Sequence, residues 1–488
     1  MKQTTAAKKI EKRVSSLTAI ARVWAADGEL EKALNAIATC ALTQYTVNQR
    51  YMDPLLEDCL AQVAWKLPKP QPHLPPEDDR VLFYDGFGLA RRGLVMIYLE
   101  ALCPNRHVTL VTRREWEQTM QDAIDLVQRS GGEVFLLDGQ EKKADVLSLQ
   151  DVICSSRAKH LFMYANADDV VVTAAFLNAP KDRVRYQINL TDHAFWLGSR
   201  CADKYIEFRD YGGAISHAFR AVPQEKLVKL PFYPQIGENR DFGGYPYPFD
   251  EENQLLVFSG GALYKTLSPD NYYYKIVDAM LQEHPQVVFW YAGTGDDSQL
   301  KQLMERYPDR VWHTPERRDL FGVIQKSRFY LSTYPICGGL MFQYAAAAGK
   351  IPVTLKHDSI SDGFLLEQDK LGIEFATVEE VTREITRLIQ DEYYLREKEA
   401  RLSQSVQTPE NFARQLNLLM DTGNTAYPLD LTLPDTQQLQ ALYASNYSCK
   451  QMNMDLVRKG NKELFFHFPV SYAMGFLLKG FRKLRKTQ

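Results

Sequence analysis

Three short runs in this 488-residue chain set reactive side chains beside glycines or beside each other. The run Asn189-Leu-Thr-Asp192-His193-Ala-Phe-Trp-Leu-Gly198 places a histidine next to a carboxylate. An imidazole oriented and tuned by an acid can serve as general base toward a hydroxyl; a structural histidine is the plainer reading. The run Phe258-Ser-Gly260-Gly261-Ala-Leu-Tyr-Lys265 puts a cation shortly after a small-residue turn. That suits a diphosphate leaving group, whose charge grows as its bond breaks. The third run, from Cys337-Gly338-Gly339-Leu340 through Gln343 to Gly349-Lys-Ile-Pro-Val353, reads as glycine turn, small-residue helix, second turn and strand. Glycines admit a phosphate to the backbone, and a helix N-terminus offers N–H donors with partial positive charge. A tight helix–sheet crossing that admits only small residues is an equal reading.

Three weaker runs add candidates. Gly86, Gly88 and Arg91 lie in the turn Tyr84-Asp-Gly-Phe-Gly-Leu-Ala-Arg-Arg-Gly93 after an expected strand. The third glycine comes too late for a dinucleotide fingerprint, and Thr112-Arg113-Arg114 stands where an acid should follow the second strand, which argues against NAD. His313 and Glu316 follow one later strand and Glu367 another. No Asp-x-Asp occurs in the sequence. Phosphate charge is therefore expected to be met by backbone amides and Lys or Arg, with neither metal nor cofactor.

Strands alternating with helices must position these runs. Buried-strand patterns fall at 80–84, 107–111, 134–137, 161–164 and 185–189, and again at 255–258, 287–291, 311–312, 329–331 and 352–355. Each series implies a parallel, doubly wound sheet. The chain is thus expected to hold two Rossmann-like domains facing a cleft, with ligands at the carboxyl ends of the strands. The expected boundaries are a helical extension with a Pro-rich linker over 1–76, an N-terminal Rossmann-like domain over 77–245, a C-terminal Rossmann-like domain over 246–425 and a helical tail over 426–488, the two middle ones becoming acceptor and nucleotide-sugar domain under the resemblance given below. The spacing predicts helix throughout 8–66, including a tetratricopeptide-like run at 28–34.

The run from Cys337 to Val353 resembles the donor-binding motif of the bacterial "group 1" polysaccharide glycosyltransferases, which have the GT-B fold. The stretch from Asn189 to Arg220 resembles their acceptor domain. The resemblance spans roughly residues 80–420. It implies transfer of a sugar from a nucleoside-diphosphate sugar, UDP favoured, to a hydroxyl on a glycan or lipid-linked glycan in cell-surface polysaccharide synthesis. Under it, Gly260, Gly261, Lys265, His313, Glu316, Gly338, Gly339, Leu340, Gln343 and Glu367 would hold the donor. His193 with Asp192, and Lys265 at the leaving group, would be catalytic, while Gly86, Gly88 and Arg91 would face the acceptor. The chain departs from that pattern where Gln343 or Tyr344 replaces a ribose-binding glutamate and where Gly-Lys-Ile-Pro is one residue longer. A protein acceptor, an inactive scaffold for partner transferases, and a sugar-nucleotide epimerase are the alternatives.

A net charge of −3 gives no global reason to expect nucleic acid. Seven scattered cysteines without a C-x-x-C pair suit reduced thiols in a cytoplasm. No secretory leader or membrane-spanning run is read, so any membrane contact is peripheral, on the inner face. The expected surface is a helix from Pro469 to about Lys486. On it Val470, Met474, Leu477, Phe481 and Leu484 share one face, and Lys479, Arg482, Lys483 and Lys486 fall on another. A helix folded back on the protein with its lysines in solvent is the alternative.

Overall fold

The computed structural model describes residues 2–48, 50–69, 75–90, 93–237, 241–357, 363–433, 435, 437, 449–458 and 462–486. The chain divides into two compact units, Met1–Leu230 with Ala413–Gln488, and Pro231–Phe412. The sequence reading placed the corresponding divisions at 245/246 and 425/426.

The first unit opens with helices α1 (Lys2–Ala26), α2 (Leu30–Val47) and α3 (Pro54–Lys66). Two breaks interrupt the helix expected throughout 8–66. Gly28 takes a left-handed φ of 81° between α1 and α2. Asn48 closes α2 at φ 49°, and the Asp53 carboxylate then caps α3 by accepting from the Leu55 and Leu56 N–H groups. These helices do not stand apart from the sheet domain: Leu34, Ile37 and Leu60 share one core with Leu149 and Val172 of the helices that follow.

Seven parallel strands come next: β1 (Glu77–Asp85), β2 (His107–Arg113), β3 (Glu133–Leu137), β4 (Ala158–Tyr164), β5 (Val184–Asn189), β6 (Lys204–Glu207) and β7 (Leu227–Lys229). They are ordered β3-β2-β1-β4-β5-β6-β7, and α4 (Val95–Leu102), α5 (Gln121–Arg129), α6 (Lys142–Ser155), α7 (Val170–Leu177) and α8 (Asp210–Arg220) connect them. The sequence reading found β1 to β5 and missed β6 and β7, whose short runs Lys-Tyr-Ile-Glu and Leu-Val-Lys carry charged residues and so show no apolar strand pattern.

The second unit repeats the plan. Its strands are β8 (Leu255–Gly260), β9 (Val287–Ala292), β10 (Val311–Thr314), β11 (Phe329–Leu331), β12 (Pro352–Leu355) and β13 (Glu374–Phe375), ordered β10-β9-β8-β11-β12-β13. All pairs are parallel. The helices are α9 (Tyr272–Glu283), α10 (Ser298–Arg306), α11 (Leu320–Lys326), α12 (Gly339–Ala347), α13 (Val378–Gln390) and α14 (Glu392–Leu402). The run rich in Pro, Gly and aromatics from Leu230 to Pro248 reads in the sequence as an interdomain connector, but its end belongs to this unit, where Tyr245, Tyr247 and Phe249 pack around the buried Trp312 ring.

The chain ends with α15 (Pro409–Thr422), α16 (Cys449–Arg458) and α17 (Pro469–Lys486). Each sheet reverses its winding once, between β1 and β4 and between β8 and β11. The carboxyl ends of those strand pairs are where such sheets bind ligands.

Candidate active site

In the second unit the switch point gathers one set of residues foreseen from sequence. The loop after β8 carries Gly260, Gly261 and Lys265, and the loop after β11 leads through Gly338 into α12. The Ile336 N–H donates to the Lys265 carbonyl at 3.3 Å, which ties the two loops together. A β-carbon on Gly260 would sit 3.0 Å from the Ala292 carbonyl oxygen and 3.3 Å from Cε of Met341 in the first turn of α12. Gly261 has φ 133°, a conformation open to glycine, and the Lys265 side chain passes beside it. Its N–H and that of Leu263 bond to carbonyls of the β9 loop, fixing the turn against its neighbour strand.

Two sources of positive potential meet there. The N-cap of α12 is Gly338, which has no side chain to accept from the first turn, so that turn offers the N–H groups of a helix start. Lys265 is half-buried, and among the described residues no carboxylate pairs with it. Burial pulls its ammonium below the usual lysine pKa, with Cys337 opposing. A partly desolvated cation without a counter-ion beside an uncapped helix start is an environment that an anion improves.

Of the remaining donor candidates, Gly339 and Leu340 open α12, and the others are held by hydrogen bonds or lie on the surface. Gly339 is explained by packing, since a β-carbon would lie 2.4 Å from the Phe364 ring. Gln343 is buried, and its amide donates to the carbonyls of Phe232 at 3.0 Å and Phe364 at 3.1 Å. A donor group so committed braces the loops instead of offering itself to a ribose. Leu340 is exposed. His313 bonds through Nε2 to the Gly293 carbonyl at 2.9 Å and so supports the glycine turn from behind. Glu316 is exposed, and Glu367 is a surface residue paired with Lys370 at 2.7 Å.

In the first unit the loop after β5 carries Asp192 and His193. Asp192 is buried, and Arg209 clamps it through Nε to Oδ2 at 2.6 Å and Nη2 to Oδ1 at 3.2 Å. Burial alone would raise this carboxyl, but Arg209 and His193 hold it well below the usual carboxylate range. The His193 Nδ1 lies 3.2 Å from Asp192 Oδ1, and the imidazole is 38% exposed. An Nδ1–H donated to the carboxylate fixes the tautomer with its proton-accepting lone pair on Nε2.

A buried scaffold that sequence reasoning missed holds this loop. The Arg220 guanidinium, wholly buried, donates to the carbonyls of Thr191, Asp192 and Ala194 at 3.3, 2.8 and 2.6 Å. Below it Glu207 accepts from Asn189 and from the Ser216 hydroxyl. Burial pushes Glu207 up to about 7, against the pull of Arg220, Ser216 and Asn189. The N-terminal helices grip the loop from another side. The Asn48 carboxamide donates to the His193 carbonyl at 2.8 Å and accepts from the Phe195 N–H at 3.0 Å. Glu57 accepts from the Gly198 and Ser199 N–H groups. In the sequence Glu207, Arg209, Ser216 and Arg220 stood only inside the Asn189–Arg220 stretch whose resemblance was read, and nothing tied Asn48 or Glu57 to it.

The glycine loop after β1 is shaped by its own packing. Asp85 is buried and accepts from the Gly88 N–H at 2.7 Å; burial raises its carboxyl to about 6. Gly88 has φ 71°, and a β-carbon there would lie 2.3 Å from the Trp116 ring; one on Gly86 would lie 2.8 Å from Asp169 Oδ2. Arg91 lies outside the described residues. Among the described residues no group of three or more His, Cys, Asp or Glu side chains could hold a metal ion.

No protein-family model matches the chain, and no curated protein matches it in sequence. Solved structures do resemble it. HepE of Anabaena, in complex with UDP and glucose, has a TM-score of 0.51 at 16% identity, covering 70% of this chain and 99% of that one. A variant of TarM from S. aureus, in complex with fondaparinux, alpha-GlcNAc-glycerol and UDP, has a TM-score of 0.51 at 9% identity, covering 70% and 100%. A UDP-GlcNAc 2-epimerase from Neisseria meningitidis bound to UDP-GlcNAc has a TM-score of 0.46 at 12% identity, covering 71% and 100%. Two all-parallel Rossmann-like units and the likeness to HepE and TarM give the chain the GT-B fold expected from its sequence.

Proposed function

We propose that this GT-B chain is a glycosyltransferase that moves a sugar from a nucleoside-diphosphate sugar to a hydroxyl of a glycan or lipid-linked glycan. The observation that carries the proposal is the meeting of Lys265 with the uncapped start of α12 at the β8/β11 switch point. A diphosphate placed there would receive N–H donors and a cation that no carboxylate pairs with among the described residues. HepE and TarM were each solved with UDP, which favours uridine as the base.

In the reaction, His193 takes the proton of the acceptor hydroxyl at Nε2 while Asp192, fixed by Arg209, stabilises the imidazolium. The acceptor oxygen bonds to the anomeric carbon through a transition state of oxocarbenium character. The bond to the diphosphate breaks, and its electron pair leaves with UDP, where Lys265 and the amides of α12 meet the charge. No step calls for a metal or a cofactor. Synthesis of cell-surface polysaccharide at the inner face of a membrane is the setting we assign.

Calorimetric titration with UDP, GDP and ADP tests the donor half of this reading. The expected result is saturable binding of UDP that Lys265→Ala weakens. Binding of none of the three nucleotides would remove the proposal.

A further inference from the structure

Among the described residues no helix is long and apolar enough to cross a membrane. Yet Phe466 and the helix that follows it display large apolar side chains that no other described residue covers. Phe466 is 84% exposed, Val470 77%, Leu477 59% and Met474 45%. In α17 the last three stand at i, i+4 and i+7, one stripe of a helix. The opposite side of the helix is the packed one. Tyr472 is buried there, and Gly475 comes so close to α16 that a β-carbon would lie 2.2 Å from the Asn453 carbonyl oxygen.

The entry to the helix is anchored. The Arg13 guanidinium of α1 stacks on the Phe468 ring at 4.3 Å and donates to the Ser471 hydroxyl at 2.8 Å, and Trp24 meets His467 edge to face. The outward stripe is therefore a held surface of the first unit.

We propose that this stripe docks on an anionic lipid surface, with the Phe466 and Val470 side chains inserted at the level of the headgroups. Charge selects the occupant. From Pro469 to the last residue the chain holds Lys479, Arg482, Lys483, Arg485 and Lys486 and no acid. A second copy would bring together two segments that each carry five cations and no acid, which like-charge repulsion opposes. An anionic leaflet attracts all five while accepting the apolar stripe. The inference rests on the reading of the chain as a transferase acting on lipid-linked glycan only for its biological setting; the binding itself is independent of catalysis.

The test is co-sedimentation of the full chain with phosphatidylglycerol vesicles and with phosphatidylcholine vesicles, at low and high salt. The comparison is the triple variant Phe466→Ser, Val470→Ser, Leu477→Ser, whose changes fall on exposed positions and leave the packed side of α17 intact. The expected result is binding to phosphatidylglycerol at low salt, release at high salt, and a loss of at least tenfold in the variant. Equal sedimentation of the two proteins, or no sedimentation of the natural chain, would overturn the proposal. So would a dimer in sedimentation equilibrium that the triple variant abolishes, because the face would then belong to a second copy. Transfer to a soluble acceptor, assayed on the same two proteins, reports on the transferase reading separately.

Discussion

Asn48 and His193 are 145 positions apart in the chain, and the Asn48 carboxamide donates to the His193 carbonyl at 2.8 Å. The residue that ends the second helix therefore sets the backbone of the proposed catalytic loop. Asn48 sits at φ 49°, so glycine can replace it without strain and remove only the side chain. With two bonds to loop backbone lost, Asn48→Gly is expected to cost about 1–3 kcal/mol of stability. It should lower kcat while leaving UDP affinity unchanged. Steady-state kinetics beside a UDP titration checks this; a kcat equal to that of the natural chain would show that the helical extension does not position the loop.

Lys265→Ala is expected to lower turnover by roughly a hundredfold, the usual effect of losing one preorganised charge at a leaving group. Lys265→Arg should recover part of it. Unchanged kinetics in a folded alanine variant would take Lys265 out of the site.

His193→Ala should abolish transfer yet bind donor as before, since every donor group assigned above lies in the other unit. Collapse of donor affinity in this variant would mean that the role given to His193 is mistaken.

Much of this was legible in the sequence. The alternating strands gave both sheets except β6, β7 and β13, and Gly260, Gly261, Lys265 and Gly338 stood out as candidates because glycine turns after apolar strands are local signals. Asn48 and Glu57 did not, because their partners lie 145 and 141 positions away and a hydrogen bond to the backbone leaves no pattern in sequence; Arg209 and Arg220 stood inside the stretch whose resemblance was read, without a role of their own. Gln343 and Gly339 looked like ligand groups because packing against Phe364 and phosphate binding select the same residue types. The exposure of Phe466 was likewise invisible until α16 was seen to cover the other side of α17.

Glu207 makes stability depend on pH. Its carboxyl rises from an ordinary 4.5 to about 7 in the fold, chiefly through burial. Between those values the folded chain holds a proton that the unfolded chain has released, so the contribution is full below 4.5 and lost as pH rises through 7. The loss amounts to about 3 kcal/mol. Denaturant unfolding of the natural chain and Glu207→Gln at pH 4.5 and pH 8 should show their difference moving by that amount against the natural chain. A difference independent of pH would rule out a raised carboxyl.

Transfer is expected to proceed without added divalent metal, with phosphate charge met by Lys265 and the start of α12. Assay in EDTA checks it; complete inhibition reversed by manganese would contradict the mechanism.

The most direct test of the central claim is to follow UDP-sugars labelled at the anomeric carbon by NMR in the presence of the chain and a glycan acceptor. The account predicts release of UDP at the rate at which the labelled carbon appears in a new glycosidic bond, and loss of both signals in Lys265→Ala. A labelled sugar that changes its ring stereochemistry without forming that bond would make the chain an epimerase. A donor left intact across the panel would make it a scaffold. Either result would contradict the account.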